Sequence, residues 1–389
     1  MRVTCAVPYA FDTVPAQRFR WEQWAKLLHA EGVDVGFVAF GTVALADARA
    51  RSQNLRAVLL AARRLPGWAV ELSAARRADL LVVMRNAALT GPPLAELALH
   101  RLGVPLVYDI DDAVYLPPPT GDNAVRRLLR SDWRVGVLCA RAALVAAGNP
   151  TLAEYARRFT EHVEIWPTTI HMAVYGARPE PRPDAVPVVG WSGSASTVHY
   201  LRPLLPLLRD LQRRIPFRLL VVGARIELEG LEGECRPWTA ATEVASLHEM
   251  DVGLMPLDDT PWSRGKCALK ALQYLAVGMP AVVADVGVNA AAVPDGRAGF
   301  VVRTDEEWAD RLTALLRDPA LRRRLGAAGR AHVAQHYSGE AWAPRIGARL
   351  HALAAARGRG RARDGERASN GGGDNRPDGD RDSVAQSSA

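Results

Sequence analysis

Lysine is nearly missing from this chain. Of 49 basic side chains only three are lysines, Lys26, Lys266 and Lys270, so the remaining 46 are arginine. Long apolar runs are missing as well: no uncharged stretch approaches the roughly 18 residues that cross a bilayer. The opening MRVTCAVPYAFDTVP lacks the long apolar segment of a secretion signal and reads as a first strand. Cysteine is sparse; Cys5, Cys139, Cys235 and Cys267 lie far apart with no C-x-x-C pair, so each reads as a reduced thiol and a cytoplasmic location is expected. The formal charge of +7 is spread along the chain, so no nucleic-acid partner is expected. Neither G-x-x-x-x-G-K-[ST] nor G-x-G-x-x-G occurs, which removes the P-loop and dinucleotide fingerprints.

What is present is a regular alternation of short β-rich runs with helical patterns, the mark of parallel sheets built from β-α-β units. In the first half the strands are Arg2–Pro8, Val33–Phe40, Asp79–Met84, Leu106–Ile110, Ala143–Ala146 and Val163–Trp166, with a helix over Ala16–Glu31. Residues 176–187, GARPEPRPDAVP, have no periodicity and read as a linker. The pattern restarts with strands at Val188–Trp191, Phe217–Gly223, Val252–Pro256 and Ala281–Ala284, and helices over Thr197–Arg214, Val244–Met250, Glu306–Arg317, Ala320–His336 and Gly339–Ala355. The expected fold class is therefore α/β, with two doubly wound domains, 1–175 and 188–338, and ligands at the carboxyl ends of the strands. The tail 357–389, rich in Arg, Gly, Asp and Ser without apolar periodicity, is expected to be disordered.

Two of the three lysines fall in RGKCALKALQYLAVGMP, read as one amphipathic helix on which Lys266, Lys270 and Gln273 share a face. Positive charge at a helix N-terminus is unfavourable unless an anion faces it. The turn VVGWSGSASTVHYLRPLL points to the same place: the amides and hydroxyls of Ser192, Gly193 and Ser194, opening a helix, make an anion nest. The alternative for both is a solvated face. His199, three residues into that helix, is either a surface residue or a ligand contact. In VPLVYDIDDAVYLPP, Asp109, Asp111 and Asp112 end an apolar strand; they read as metal ligands, helix caps or partners of a sugar. Arg18 and Arg20 in PAQRFRWEQW either grip an anionic acceptor or form an ordinary basic turn. Arg126, Arg127, Arg130 and Arg134 form a basic face, either solvated or docked on an anionic membrane.

DVGLMPLDDTPWSRGKCALKALQYLAVGMPAVVADVGVNAAAVPDGRAGFVV, AAGNPTLAEYARRF and VVGWSGSASTVHYLRPLL together resemble retaining GT-B glycosyltransferases of family four, over roughly residues 1–350. The resemblance implies a nucleotide sugar bound to the second domain as co-substrate; because two ammonium groups and a helix N-terminus can offset its diphosphate charge without an ion, no metal and no cofactor are expected. It implies an acceptor (carbohydrate, lipid-linked or small molecule) on the first domain, reached by Arg18, Arg20, Asp111, Asp112 and His199. It also implies a last helix, 339–356, returning to the first domain. The family's paired glutamates fall on Gly265 and Gln273, and the Arg and Lys usual in its first turn fall near Trp191 and Ser196. Lys266 and Lys270 then stand as replacement diphosphate cations, Gln273 as the ribose contact, and Trp238, Thr239 and Asp258 as selectivity positions. Asp109 replaces a histidine often found in the acceptor domain, which makes Asp109 and Lys266 the candidate catalytic residues. Losing the glutamates also admits a non-catalytic scaffold in a polysaccharide assembly complex, and a related epimerase is a further alternative.

Overall fold

Runs such as Leu80–Met84 and Leu106–Ile110 are buried at every position, as strands covered on both faces must be. The computed structural model describes residues 1–50, 53–88, 93–117, 132–179 and 185–370. It places these runs in two six-stranded sheets whose paired strands are all parallel. The first runs β2-β1-β3-β4-β5-β6, with β1 Arg2–Val7, β2 Asp34–Ala39, β3 Leu80–Met84, β4 Leu106–Ile110, β5 Leu144–Ala147 and β6 Val163–Ile165. The second runs β12-β11-β10-β7-β8-β9, with β7 Val188–Ser192, β8 Arg218–Val222, β9 Gly233–Arg236, β10 Val252–Met255, β11 Ala281–Ala284 and β12 Gly299–Val302. The edge strands β9 and β12 are additions to the sequence reading.

Period-two alternation divides each sheet between two cores. Leu81 and Val83 enter one cluster while Leu80, Val82 and Met84 enter the cluster on the opposite face. Leu219 and Val221 part from Leu220 and Val222 in the same way. Each such side chain contributes about 1.5–3 kcal/mol by leaving water. The last helix starts at Gly339 and buries Ala343, Ile346 and Leu350 with Trp24 and Leu28 of the first domain. It ties the two halves together.

Four expectations need correction. The helix over Ala16–Glu31 is interrupted at Arg20, whose φ −124°, ψ −105° is not helical, and its guanidinium meets Asp109 of β4. Thr197–Arg214 holds two single turns, Val198–Tyr200 and Arg202–Leu204, before the helix Leu205–Gln212, because Pro203 and Pro206 suit only a helix start. The stretch from Arg264 is not one helix: a short helix ends at Arg264, Ala268 turns left-handed at φ +53°, and a new helix spans Leu269–Ala276. The last helix runs to Asn370, past the expected start of disorder at Arg357. Arginine and alanine make up half of residues 357–370 and favour helix, against the glycines at 358, 360 and 365. Residues 371–389 lie outside the described residues.

Candidate active site

Both sheets reverse their strand order near the middle, and in the second sheet the reversal falls between the paired strands β7 and β10. Loops leaving the carboxyl ends there diverge and leave a crevice. A cleft of about 900 Å³ opens between the domains at this point. Its first-domain wall holds Thr13–Ala16, Arg85, Asp111, Asp112 and Thr168; its second-domain wall holds Ser192–Ala195, Gly223–Arg225, Arg236–Trp238, Glu243 and Lys266–Lys270. Gln273 closes the floor.

Lys266 and Lys270 both reach this cleft, and among the described residues neither has an acidic partner within ion-pair distance. Each lies over an aromatic ring instead, Lys266 Nζ 5.7 Å from the centre of Tyr200 and Lys270 Nζ 5.2 Å from that of Trp191. Burial, then the charge of Lys266, push the Lys270 ammonium down to about 7. Lys270 is the second residue of Leu269–Ala276, whose start no side chain caps. Uncapped amides, a helix dipole and two cations therefore converge without a protein anion. Lys266 itself precedes this helix, so it shares the cleft with Lys270 and Gln273 rather than a helix face.

The Ser/Gly turn lines the cleft, but its amides are engaged. Ser192 N donates to the Tyr274 hydroxyl at 2.9 Å, Gly193 N to Val222 O at 2.9 Å, and Ser194 N to Thr197 Oγ1 at 3.0 Å. The anion nest expected from these three amides is therefore not available; the turn closes on its own hydroxyl and on the next strand. A Cβ on Gly193 would lie 2.2 Å from the Trp191 ring, so only glycine lets this loop sit against the ring under Lys270.

On the other wall the aspartates separate. Asp109 and Arg20 are both fully buried and joined by a bidentate ion pair, and Arg20 Nη1 also donates to Trp166 O at 2.8 Å. Burial raises the Asp109 carboxyl above the usual carboxylate range, against the pull of Arg20. Neither group reaches the cleft. The catalytic reading of Asp109 and the acceptor reading of Arg20 are corrected to a structural pair that fixes the first helix to β4. Asp111 and Asp112 do line the cleft, held by Arg85: its Nε donates to Asp111, and its Nη2 lies 3.6 Å from Asp112 Oδ2. Arg85 sits at φ +49°, and like Ala268 it is a strained non-glycine residue on the cleft wall.

Arg18 bridges the domains rather than lining the cleft, pairing with Asp12 at 2.6 Å and Glu243 at 3.1 Å. His199 lies tilted against Tyr200, 3.9 Å between ring centres, and is not part of the cleft wall. Thr239 is exposed and shares a hydrogen bond with Thr242, and Asp258 accepts from Ser263; neither lines the cleft, whereas Trp238 does. Arg134 turns inward onto Glu96, so it takes no part in a basic surface; Arg126, Arg127 and Arg130 lie outside the described residues. No helix among the described residues is long and apolar enough to cross a membrane.

Comparison with known proteins follows the same geometry. Residues 186–318 match the family model for glycosyl transferases group 1. Sucrose-phosphate synthase from Thermosynechococcus elongatus superposes with a TM-score of 0.68 over 91% of this chain and 99% of that one, at 16% identity. HepE from Anabaena, solved in complex with UDP, superposes at 0.60 over 90% of this chain and all (100%) of that one, at 15% identity. The chain has the two-domain GT-B fold, and its second domain is similar to group 1 glycosyl transferases. Two curated relatives, both D-inositol 3-phosphate glycosyltransferases, match shorter stretches. That of Nocardia farcinica is 44% identical over 77 residues, and that of an Arthrobacter species 26% identical over 272. Those stretches span 16% and 63% of the relatives' own lengths, and 19% and 61% of this chain.

At Gly265 and Gln273, where the resemblance places glutamates, the surroundings are specific. A Cβ on Gly265 would lie 2.7 Å from Ala113 Cβ across the domain interface, so no longer side chain fits while the domains are in contact. Asn149 secures that approach: its amide donates to Gly265 O at 2.9 Å and Lys266 O at 3.1 Å, while its Oδ1 caps the helix Pro150–Arg157. Gln273 donates through Nε2 to Glu243 Oε1 at 3.0 Å and to the Tyr175 hydroxyl at 3.1 Å. Arg85, Asn149, Tyr175 and Glu243 escaped the sequence reading. Arg85 directly follows an apolar strand, and Asn149 precedes a proline at a helix start; both signals were present. Glu243 had none.

Proposed function

We propose that the chain is a glycosyltransferase that moves a sugar from a nucleoside-diphosphate sugar to an acceptor hydroxyl with retention of configuration. The observation that carries this is the pair Lys266 and Lys270, without acidic partners among the described residues, at an uncapped helix start inside the interdomain cleft. Two ammonium groups and the amides of that start stabilise charge building on a departing diphosphate, each well-placed donor contributing a few kcal/mol. The diphosphate lies there; the loops Gly223–Arg225 and Arg236–Trp238 bound the space for the base. UDP in the HepE complex supports a nucleotide in this type of cleft. The acceptor, a carbohydrate, lipid-linked or small-molecule alcohol, lies against Asp111 and Asp112, whose carboxylates on Arg85 suit hydroxyl donors. Polysaccharide, glycolipid or natural-product glycoside assembly is the pathway class.

No nucleophile is needed from the protein when the acceptor attacks on the leaving-group face, and no metal when cations already face the diphosphate. Four free thiols fit a cytoplasmic setting. The test is turnover of UDP-, GDP-, ADP- and dTDP-sugars against simple glycosides and polyols, with the product anomer read by NMR and with excess EDTA in parallel. Transfer that survives EDTA and keeps the donor's anomeric configuration is expected. Inverted product overturns retention, loss with EDTA overturns metal independence, and absence of any transfer favours the scaffold alternative.

A further inference from the structure

Glu243 touches four donors at the floor of the cleft. Oε1 accepts from Trp238 Nε1 at 3.0 Å and Gln273 Nε2 at 3.0 Å; Oε2 accepts from the Tyr175 hydroxyl at 2.8 Å and Arg18 Nη1 at 3.1 Å. Only 5% of the residue is exposed. The consequence falls on Gln273. Its amide nitrogen has two hydrogens, and both are engaged, one by Glu243 and one by Tyr175. Turning the amide over would set its carbonyl oxygen about 3 Å from a carboxylate oxygen, two acceptors face to face. Glu243 thus fixes the amide with nitrogen inward, leaving Oε1 as the acceptor that Gln273 offers the cleft it lines.

Distance identifies what meets it. Gln273 follows Lys270 by three residues on the helix Leu269–Ala276, so their Cβ atoms stand roughly 5–6 Å apart on one face. A nucleoside diphosphate whose phosphates meet Lys270 carries its ribose within that reach. We propose that Glu243 is a positioning residue that holds Gln273 as the hydrogen-bond acceptor for a ribose hydroxyl. A neutral amide then meets the ribose, with the negative charge set back in Glu243, where Arg18 of the first domain pairs with it. The proposal rests on the nucleotide-sugar reading above.

It also explains why glutamine, not glutamate, stands at 273. Gln273→Glu places two carboxylates about 3 Å apart, and one must take a proton or move away. Exchanging the two residues, Glu243→Gln with Gln273→Glu, restores one amide and one carboxylate. The experiment is calorimetric binding of UDP, 2′-deoxy-UDP and 3′-deoxy-UDP, with ADP and GDP in case another base is preferred. Melting curves check that each variant is folded. In the native chain one deoxy form binds roughly 2- to 10-fold more weakly than UDP, the worth of one neutral hydrogen bond. Gln273→Leu abolishes that discrimination, Gln273→Glu weakens UDP, and the exchanged pair recovers both. A merely structural Glu243 would shift stability and leave the UDP to deoxy-UDP ratio unchanged, which overturns the proposal. So does Gln273→Glu binding UDP as well as the native chain. If both deoxy forms match UDP, the hydroxyl is not ribose and the assignment falls while the nucleotide reading stands. If no nucleoside diphosphate binds, the nucleotide reading has failed and this falls with it.

Discussion

Replacing Lys270 with methionine should make the ligand-free protein more stable and its nucleotide binding weaker. The ammonium ordinarily titrates at 10.5 and is held at about 7 here, by burial and then by Lys266. Between those values the unfolded chain binds more protons than the folded one, so this residue makes stability rise with pH from 7 to 10.5. At and below pH 7 the folded chain carries the full cost of a desolvated charge. The limiting slope for one proton is about 1.4 kcal/mol per pH unit, and water reaching the open cleft narrows the pH window over which it applies. Lys270→Met removes the charge but keeps most of the apolar stem over Trp191. Melting followed by scanning fluorimetry should place the variant a few degrees above the native chain at pH 6.5, the two curves converging near pH 10. Affinity for UDP should fall in the variant by roughly 10- to 150-fold, the range for one contact to a charged group. UDP binding to the native chain should itself weaken as pH rises above about 7, because the ligand needs the protonated form. A variant that melts below the native chain at pH 6.5, with an unchanged pH slope, would refute the claim that this ammonium is desolvated and without an anion.

Asp109→Asn should leave the Arg20 charge buried without its counter-ion, costing about 3–5 kcal/mol and lowering the melting temperature by on the order of 10 °C. A folded, equally stable variant with slow transfer would return Asp109 to a catalytic role. Gly265→Glu, which restores the residue usual in the family, should abolish transfer rather than improve it, because its Cβ meets Ala113; enhanced turnover would contradict that geometry. Asn149→Ala removes a helix cap and the clamp on residues 264–266, and should cost about 2 kcal/mol in denaturant unfolding while raising the KM for donor. An unchanged KM would show that the clamp does not set the lysine loop.

The two sheets were legible because a buried parallel strand needs a near-continuous apolar run, and LLVVM admits little else. The lysine cluster was legible for the opposite reason, being a concentration of a scarce residue. What escaped were partnerships between residues distant in sequence. Asp109 looked like its neighbours Asp111 and Asp112 until the broken helix at Arg20 brought a guanidinium to it across 89 positions. The Ser192 and Gly193 amides looked free because their acceptors, Tyr274 and Val222, stand on other elements. Ala268 hid a helix boundary inside a periodic pattern, since a left-handed alanine has no signal in composition. Glu243 became visible only with the four donors around it.

The central claim is that the two lysines form a diphosphate site, and titration calorimetry with UDP and with uridine, on the native chain and on Lys266→Ala, tests it most directly. The account predicts that UDP binding falls by roughly 10- to 150-fold in the variant while uridine binding stays the same. Equal losses for the two ligands, or UDP binding that does not change, would contradict it.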